Sequence, residues 1–301
     1  MRDDRPAIAG HVRRHLDHLV LPVVDLTTAR TRLSSLGFTV AGDAPHPFGT
    51  ENACVFLADK TYLEPLAVAQ REDCEAAALQ GNAFVARDQA YRFRRGQDGF
   101  SALVFSTDDA VADHARFQTN GLSGGDILEF SRPMTRPDGG EAIGQFRLAF
   151  ASDLRAPDLF CFTCQRVQPL PADRSALETH ENGVTGIRKV ILSEPNPTDF
   201  QYFLQQVVDE RETEAHSFGM DIQAENAQIS VLNDAGMRAF LGVEKASAER
   251  GLRARALVFT VADIAATQAI FAANHIDHVK RGDSLLVPPA PGQGAIFVFG
   301  E

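Results

Sequence analysis

The feature that most constrains this chain is a pattern that recurs four times along it. Each copy has an apolar strand-like run, an Asp or Asn, an amphipathic helical segment, and then short strand-like runs. The copies begin HLDHLVLPVVD, FSALVFSTDD, GIRKVILSEPNP and RARALVFTVAD, and continue LTTARTRLSSLGF, AVADHARFQTNGL, TDFQYFLQQVV and IAATQAIFAANHI. Asp25, Asp109, Asn196 and Asp263 fall where an N-cap belongs, 84, 87 and 67 residues apart. Their short side chains can accept bonds from the first unpaired helical N–H groups, and Pro197 suits a first helical position. Leu26, Ala29, Leu33 and Leu36 form one core stripe at helical spacing. Phe200, Phe203, Leu204, Val207 and Val208 form another. A repeat of this size is one supersecondary unit that buries its apolar face only against a neighbour.

The runs after each helix complete a β-α-β-β-β order. They are Phe38–Val40, Ala53–Leu57 and Tyr62–Leu66 in unit one, and Ile127–Phe130, Phe146–Phe150 and Leu159–Thr163 in unit two. Unit three offers Ala215–Phe218, Asp221–Ala224 and Gln228–Leu232. Unit four offers His278–Lys280, Ser284–Val287 and Ala295–Phe299. The fold class expected is therefore α+β, with four such units paired into two halves, residues 1–170 and 171–301. Residues 71–99 are a helical insertion, with Phe84, Val85, Tyr91 and Phe93 as docking residues. Gln168–Asn182, with its prolines, reads as the linker.

Composition narrows the partners. A net charge of −11 argues against nucleic acid, which wants clustered Lys and Arg. No run of about 18 apolar residues exists to span a membrane, and the N-terminus lacks the apolar core of a signal peptide. Four cysteines in 301 residues do not make a disulfide framework, so a cytoplasmic setting is expected. Cys161 and Cys164 spell C-x-x-C, but within a strand-like run and with no second pair, so neither a redox motif nor a zinc site is read there.

The segment LDHLVLPVVDL followed by HPFGTENACVFLADKTYLEPL resembles the glyoxalase-like domain family of the vicinal oxygen chelate superfamily. That superfamily also holds extradiol dioxygenases and bleomycin-resistance proteins. The resemblance covers Leu16–Leu66 best and extends to Gly99–Leu122, FRLAFASDLRAPDLFCFTCQ and the junction HENGVTGI. It implies cupped mixed sheets, two units to a cup. It also implies a first-strand metal ligand at His18 and a last-strand ligand at Glu64, an N/O pair that Zn, Mn, Ni, Co or Fe would accept. His46, in a loop stiffened by Pro45, Pro47 and Gly49, is the candidate third ligand or acid/base, with Glu64 the other catalytic candidate. Thr50 and Asn52 could bind a substrate oxygen. In unit two, Ala102 aligns with His18 and Cys161 with Glu64, so the four-ligand set is incomplete. Cys161 and Phe105 are expected to line the pocket, with Phe146, Phe160 and Phe162 beside them. His180 and Asn182 flank the junction. Units three and four offer Lys189, Ala256 and Ser230 at ligand positions, which reads as a structural or dimerising half.

The expected function is a metal-dependent glyoxalase-like lyase or isomerase on a small oxygen-bearing substrate. The rivals are a non-catalytic protein that sequesters a small molecule and, third, a ring-cleaving dioxygenase. A homodimer is the expected self-association.

Overall fold

The computed structural model describes residues 13–135, 140–168, 175–243 and 249–301. Unit one contains β1 (Leu16–Pro22), α1 (Leu26–Ser35), β2 (Ala44–Pro45), β3 (Thr50–Asn52), β4 (Val55–Phe56) and β5 (Tyr62–Val68). The insertion forms α2 (Arg71–Leu79) and α3 (Ala83–Arg95). Unit two contains β6 (Ala102–Ser106), α4 (Ala110–Thr119), β7 (Leu128–Thr135), β8 (Glu141–Ala151) and β9 (Phe160–Arg166). Unit three contains β10 (Val184–Ser193), a 3-10 turn at Pro197–Phe200 leading into α5 (Gln201–Val208), then β11 (Glu214–His216), β12 (Gly219–Gln223) and β13 (Gln228–Leu232). The short α6 (Asp234–Gly236) and a π-turn at Met237–Leu241 lead to unit four: β14 (Arg253–Val261), α7 (Ile264–Ala273), β15 (Val279–Arg281), β16 (Ser284–Val287) and β17 (Ile296–Gly300).

Two mixed sheets result. Their strand orders are β2-β3-β5-β1-β6-β9-β8-β7, with β4 on β5, and β11-β12-β13-β10-β14-β17-β16-β15. Units one and two thus share the first sheet, joined where β1 runs antiparallel to β6, and units three and four share the second at β10 and β14. Asp25, Asp109 and Asp263 cap α1, α4 and α7 through their side chains. Asn196 precedes the 3-10 turn without a side-chain cap bond. Phe38–Val40 forms no strand. Phe38 instead packs into the core, against Phe259 and His180.

The helix-facing sides of both sheets bury one continuous core, which includes Leu19, Phe105, Phe117, Val190, Phe259 and Phe299. The opposite, concave faces hold smaller clusters, one per sheet. Of the insertion residues, Phe84, Val85 and Tyr91 dock inward and Phe93 is exposed. Arg92 is buried and donates to the carbonyls of Val23 and Leu66, tying the insertion to the sheet. Part of the proposed linker, residues 169–174, lies outside the described residues. No helix among the described residues is long and apolar enough to cross a membrane.

Candidate active site in the N-terminal cup

The site starts from an irregularity in β1. Leu16 pairs with Phe105 and His18 with Val104, so Asp17 is an extra residue in the ladder. Such a bulge breaks the two-residue alternation of side chains. Leu16 therefore joins Leu19 and Leu21 in the helix-side core, and Asp17 reaches the same ring that His18 presents to the cup. Strict alternation would have put Leu16 beside His18 and Asp17 on the other side.

His18 Nδ1 lies 2.6 Å from Asp17 Oδ2, and its Nε2 lies 3.3 Å from Glu64 Oε2. Arg166 on β9 holds Asp17 with two bonds, Nη1 to Oδ1 at 2.7 Å and Nη2 to Oδ2 at 3.0 Å. Tyr62 stacks on the His18 ring at 4.4 Å. Burial alone would lower the pKa of His18, but the bonds to Asp17 and Glu64 outweigh it and hold it above its ordinary value. Burial alone would raise that of Glu64, yet His18, His46 and Asn52 hold it down at about 2. His18 thus sits between two ionised carboxylates that favour its protonated form.

The turn between β2 and β3 delivers His46. Its Nδ1 lies 2.9 Å from Thr50 Oγ1, which turns Nε2 toward Glu64 Oε1 at 3.7 Å. Phe48 stacks on the ring at 5.1 Å, and Phe84 and Phe130 meet it edge-on. Burial in this apolar jacket, opposed by Glu64 and aided by Arg132, pushes the pKa of His46 down to about 4. At neutral pH the ring is therefore uncharged, and the Arg132 Nη1 and Asn52 Nδ2 donors 3.4 Å from Nε2 favour the tautomer in which that nitrogen is the acceptor. Asn52 Nδ2 donates to Glu64 Oε1 at 2.6 Å. Thr50 and Asn52 are thus both engaged within the site, as braces of His46 and Glu64.

Sequence reasoning missed Arg132 on β7. Its Nη1 lies 3.4 Å from both His46 Nε2 and Asn52 Oδ1, and its plane covers Phe146. Its Nε is buried and has no hydrogen-bond partner among the described residues. No local signal marks Arg132, because only the eight-residue reach of β7 along β8 brings it over the cup. Two expected residues lie elsewhere. Cys161 pairs with Leu103, and both belong to the helix-side core, as does Phe105. Neither faces the cup. Phe146, Phe162 and Cys164 do line it. Burial pushes both the Cys161 and Cys164 thiols up to about 12, so neither supplies a thiolate at neutral pH. The cavity left between these side chains is about 30 Å³, room for little more than water.

The donor chemistry suits a divalent ion. Two imidazole Nε2 atoms face one carboxylate, and Asp17 fixes the His18 ring as outer partners of metal-bound histidines do. The ion would replace the proton that His18 shares with Glu64. The donor number is short. Among the described residues no three His, Cys, Asp or Glu are grouped so that they could hold a metal ion. Unit two contributes Ala102 and Val104 opposite Val20 and His18, with Phe160 and Phe162 beside them. An ion held by His18 and Glu64 would need water or substrate oxygens to complete its shell.

Residues 16–208 match the family model described as a glyoxalase-like domain. No curated protein sequence matches the chain. Among solved structures, a hypothetical protein from Staphylococcus aureus is similar at 13% identity and a TM-score of 0.65, over 94% of this chain and 98% of that one. A mutant 4-hydroxymandelate synthase from Streptomyces coelicolor is similar at 16% identity and a TM-score of 0.59, over 96% and 92%. The Mn(II)-bound glyoxalase from Novosphingobium aromaticivorans is similar at 9% identity and a TM-score of 0.52, over 95% and 82%. At these identities the likenesses establish the fold.

Proposed function

Because the chain belongs to the glyoxalase-like domain family, we propose that its N-terminal cup is the active site of a lyase or isomerase. The substrate is a small, oxygen-bearing anion. The observation that carries this reading is the convergence of Glu64, neutral His46 and Arg132 within one phenylalanine-walled cup. A divalent ion, when bound by His18 and Glu64, would supply Lewis-acid polarisation of a substrate oxygen; the Mn(II)-bound state of one similar structure supports that assignment. His46 Nε2 accepts the proton from the carbon beside the substrate carbonyl, with Nδ1 held by Thr50. An anionic substrate beside the ring raises its low basicity toward the useful range. Arg132 carries the orphaned donor, and it binds the negative charge that develops on oxygen. The phenylalanines exclude water, which strengthens each of these interactions. Arg132 and Phe130 lie on a half-exposed strand, so they are the side chains that move to admit substrate into so small a space.

The test is carbon-bound proton exchange in D2O, followed by NMR across a panel of α-hydroxy and α-keto acids. Protein replete with Mn(II) is compared with His46→Gln and with the His18→Ala, Glu64→Ala double variant. Exchange by the wild type, metal retained but exchange lost in His46→Gln, and metal lost in the double variant are the expected results. Stoichiometric binding of an acid with no exchange would overturn catalysis and favour sequestration, which the Phe146 and Phe162 wall from unit two would also serve.

A further inference from the structure

We propose that the C-terminal cup is a second site of different chemistry, which binds a small organic anion with an apolar body. It encloses about 490 Å³, against about 30 Å³ in the first cup. The larger value lies in the range of small-molecule pockets.

The two cups are built by the same backbone device. In β10, Ile187 pairs with Phe259 and Lys189 with Val258, so Arg188 is the extra residue, as Asp17 is in β1. Ile191 pairs with Ser230 as Val20 pairs with Glu64. Arg188 and Lys189 thus stand where the first cup has Asp17 and His18, and Ser230 stands where it has Glu64. Each cup also receives an arginine from the outer strand of its second unit, Arg132 from β7 and Arg281 from β15. The substitutions turn an acid-and-imidazole site into a cationic one.

The charges around this cavity bear that out. Arg188, Lys189 and Arg281 line it, and Asp221 is the one carboxylate among its described lining residues. Asp221 is engaged, accepting from the buried Ser230 hydroxyl and facing His216 Nε2 at 3.4 Å. Arg281 donates Nη1 to the Ala239 carbonyl at 3.1 Å, and Arg188 donates Nη1 to the Glu301 carbonyl, which fixes both guanidinium groups. The Lys189 side chain has no hydrogen-bond or ion-pair partner among the described residues. Three cations against one occupied carboxylate, in a chain of net charge −11, focus positive potential in a concave space. Apart from His216, Ser230 and Ser284, the rest of the described lining is apolar, including Ile191, Leu232, Val258, Leu286 and Val298. A simple inorganic anion would leave most of that volume and surface unfilled, so the ligand carries a hydrocarbon or aromatic body.

Isothermal titration calorimetry on the full chain tests this with four probes: octanoate, octyl phosphate, 1-octanol and inorganic phosphate. Octanoate or octyl phosphate should bind, with 1-octanol and inorganic phosphate each weaker by roughly tenfold or more. The tighter of the two anions identifies the head group. The Lys189→Gln, Arg281→Gln variant should lose roughly tenfold in affinity with an unchanged melting temperature, whereas the His18→Ala, Glu64→Ala variant should bind as the wild type does. No binding of either anion, equal binding of 1-octanol, or loss of binding in the His18, Glu64 variant would overturn the proposal. Because the readout is binding in the second cup, it stands or falls apart from the activity proposed for the first.

Discussion

At the scale of single residues, the N-terminal cup depends on groups that never face the substrate. Asp17 orients His18, and against the cost of burial the bond to His18 and the Arg166 guanidinium together keep Asp17 ionised. Replacing Arg166 with Leu leaves Asp17, 4% exposed, as a buried carboxylate without its bidentate partner. Losing one member of a buried pair is costly, so urea unfolding should show a loss of about 3 kcal/mol, and Arg166→Lys should recover part of it. The affinity for the divalent ion proposed at His18 and Glu64 should fall in the same variant by roughly tenfold or more, as it does when outer-shell partners are removed. Asn52 illustrates what a residue type alone conveys. As an amide beside a turn it is expected to bind a substrate oxygen, and its 2.6 Å bond to Glu64 follows only from the pairing of β3 with β5.

At the scale of elements, two departures from regular geometry aim the site. One is the bulge at Asp17, already visible in the register of β1 against β6. The other is the β2–β3 turn that carries His46. There Gly49 has φ +90°, and a Cβ on it would lie 2.5 Å from the Gln70 carbonyl and 2.8 Å from the Cys74 amide. Its own carbonyl accepts from Ala69 and Gln70, so the turn is docked on the start of α2 with no space for a side chain. Gly49→Ala combines a left-handed conformation with a clash against backbone. It should cost about 2 kcal/mol or more in denaturant unfolding and should reduce proton exchange by displacing His46. The glycine in the motif was read from the sequence as a stiffener of the loop; the close approach to α2 gives the reason.

At the scale of the whole molecule, the junction His180 and Asn182 hold the two halves on one core. His180 Nδ1 accepts from the Thr39 amide at 3.0 Å and Nε2 donates to the Phe56 carbonyl at 2.9 Å. Asn182 donates to the Leu36 carbonyl, and its own carbonyl accepts from Thr267. His180 is thus a brace rather than a cup residue. Burial, partly offset by the bond to Phe56, lowers its pKa below the ordinary 6.5. The unfolded chain then binds more protons just below pH 6.5, so this contribution is complete above that value and is lost as pH falls through the window beneath it. Protonation at Nδ1 also removes the acceptor of Thr39. His180→Gln should flatten the acid limb of a stability–pH curve measured by thermal unfolding.

The sequence by itself determined the four-unit order, three of the four capped helices, the pairing of units and the presence of His18, His46 and Glu64 in one cup. The unit order and the helices rest on short-range regularities, a cap beside its helix and a stripe at helical spacing, whereas the placing of His18, His46 and Glu64 in one cup rests on the resemblance of Leu16–Leu66 to the glyoxalase-like domain family. Tertiary structure alone decided that Cys161 and Phe105 face the core, that Arg132 reaches the cup, and that Arg188, Lys189 and Arg281 surround an open second cavity. Those outcomes depend on ladder register between strands far apart in the chain. One extra residue in a ladder reverses which side chains share a face, and a single strand's sequence does not record where its partner places the bulge.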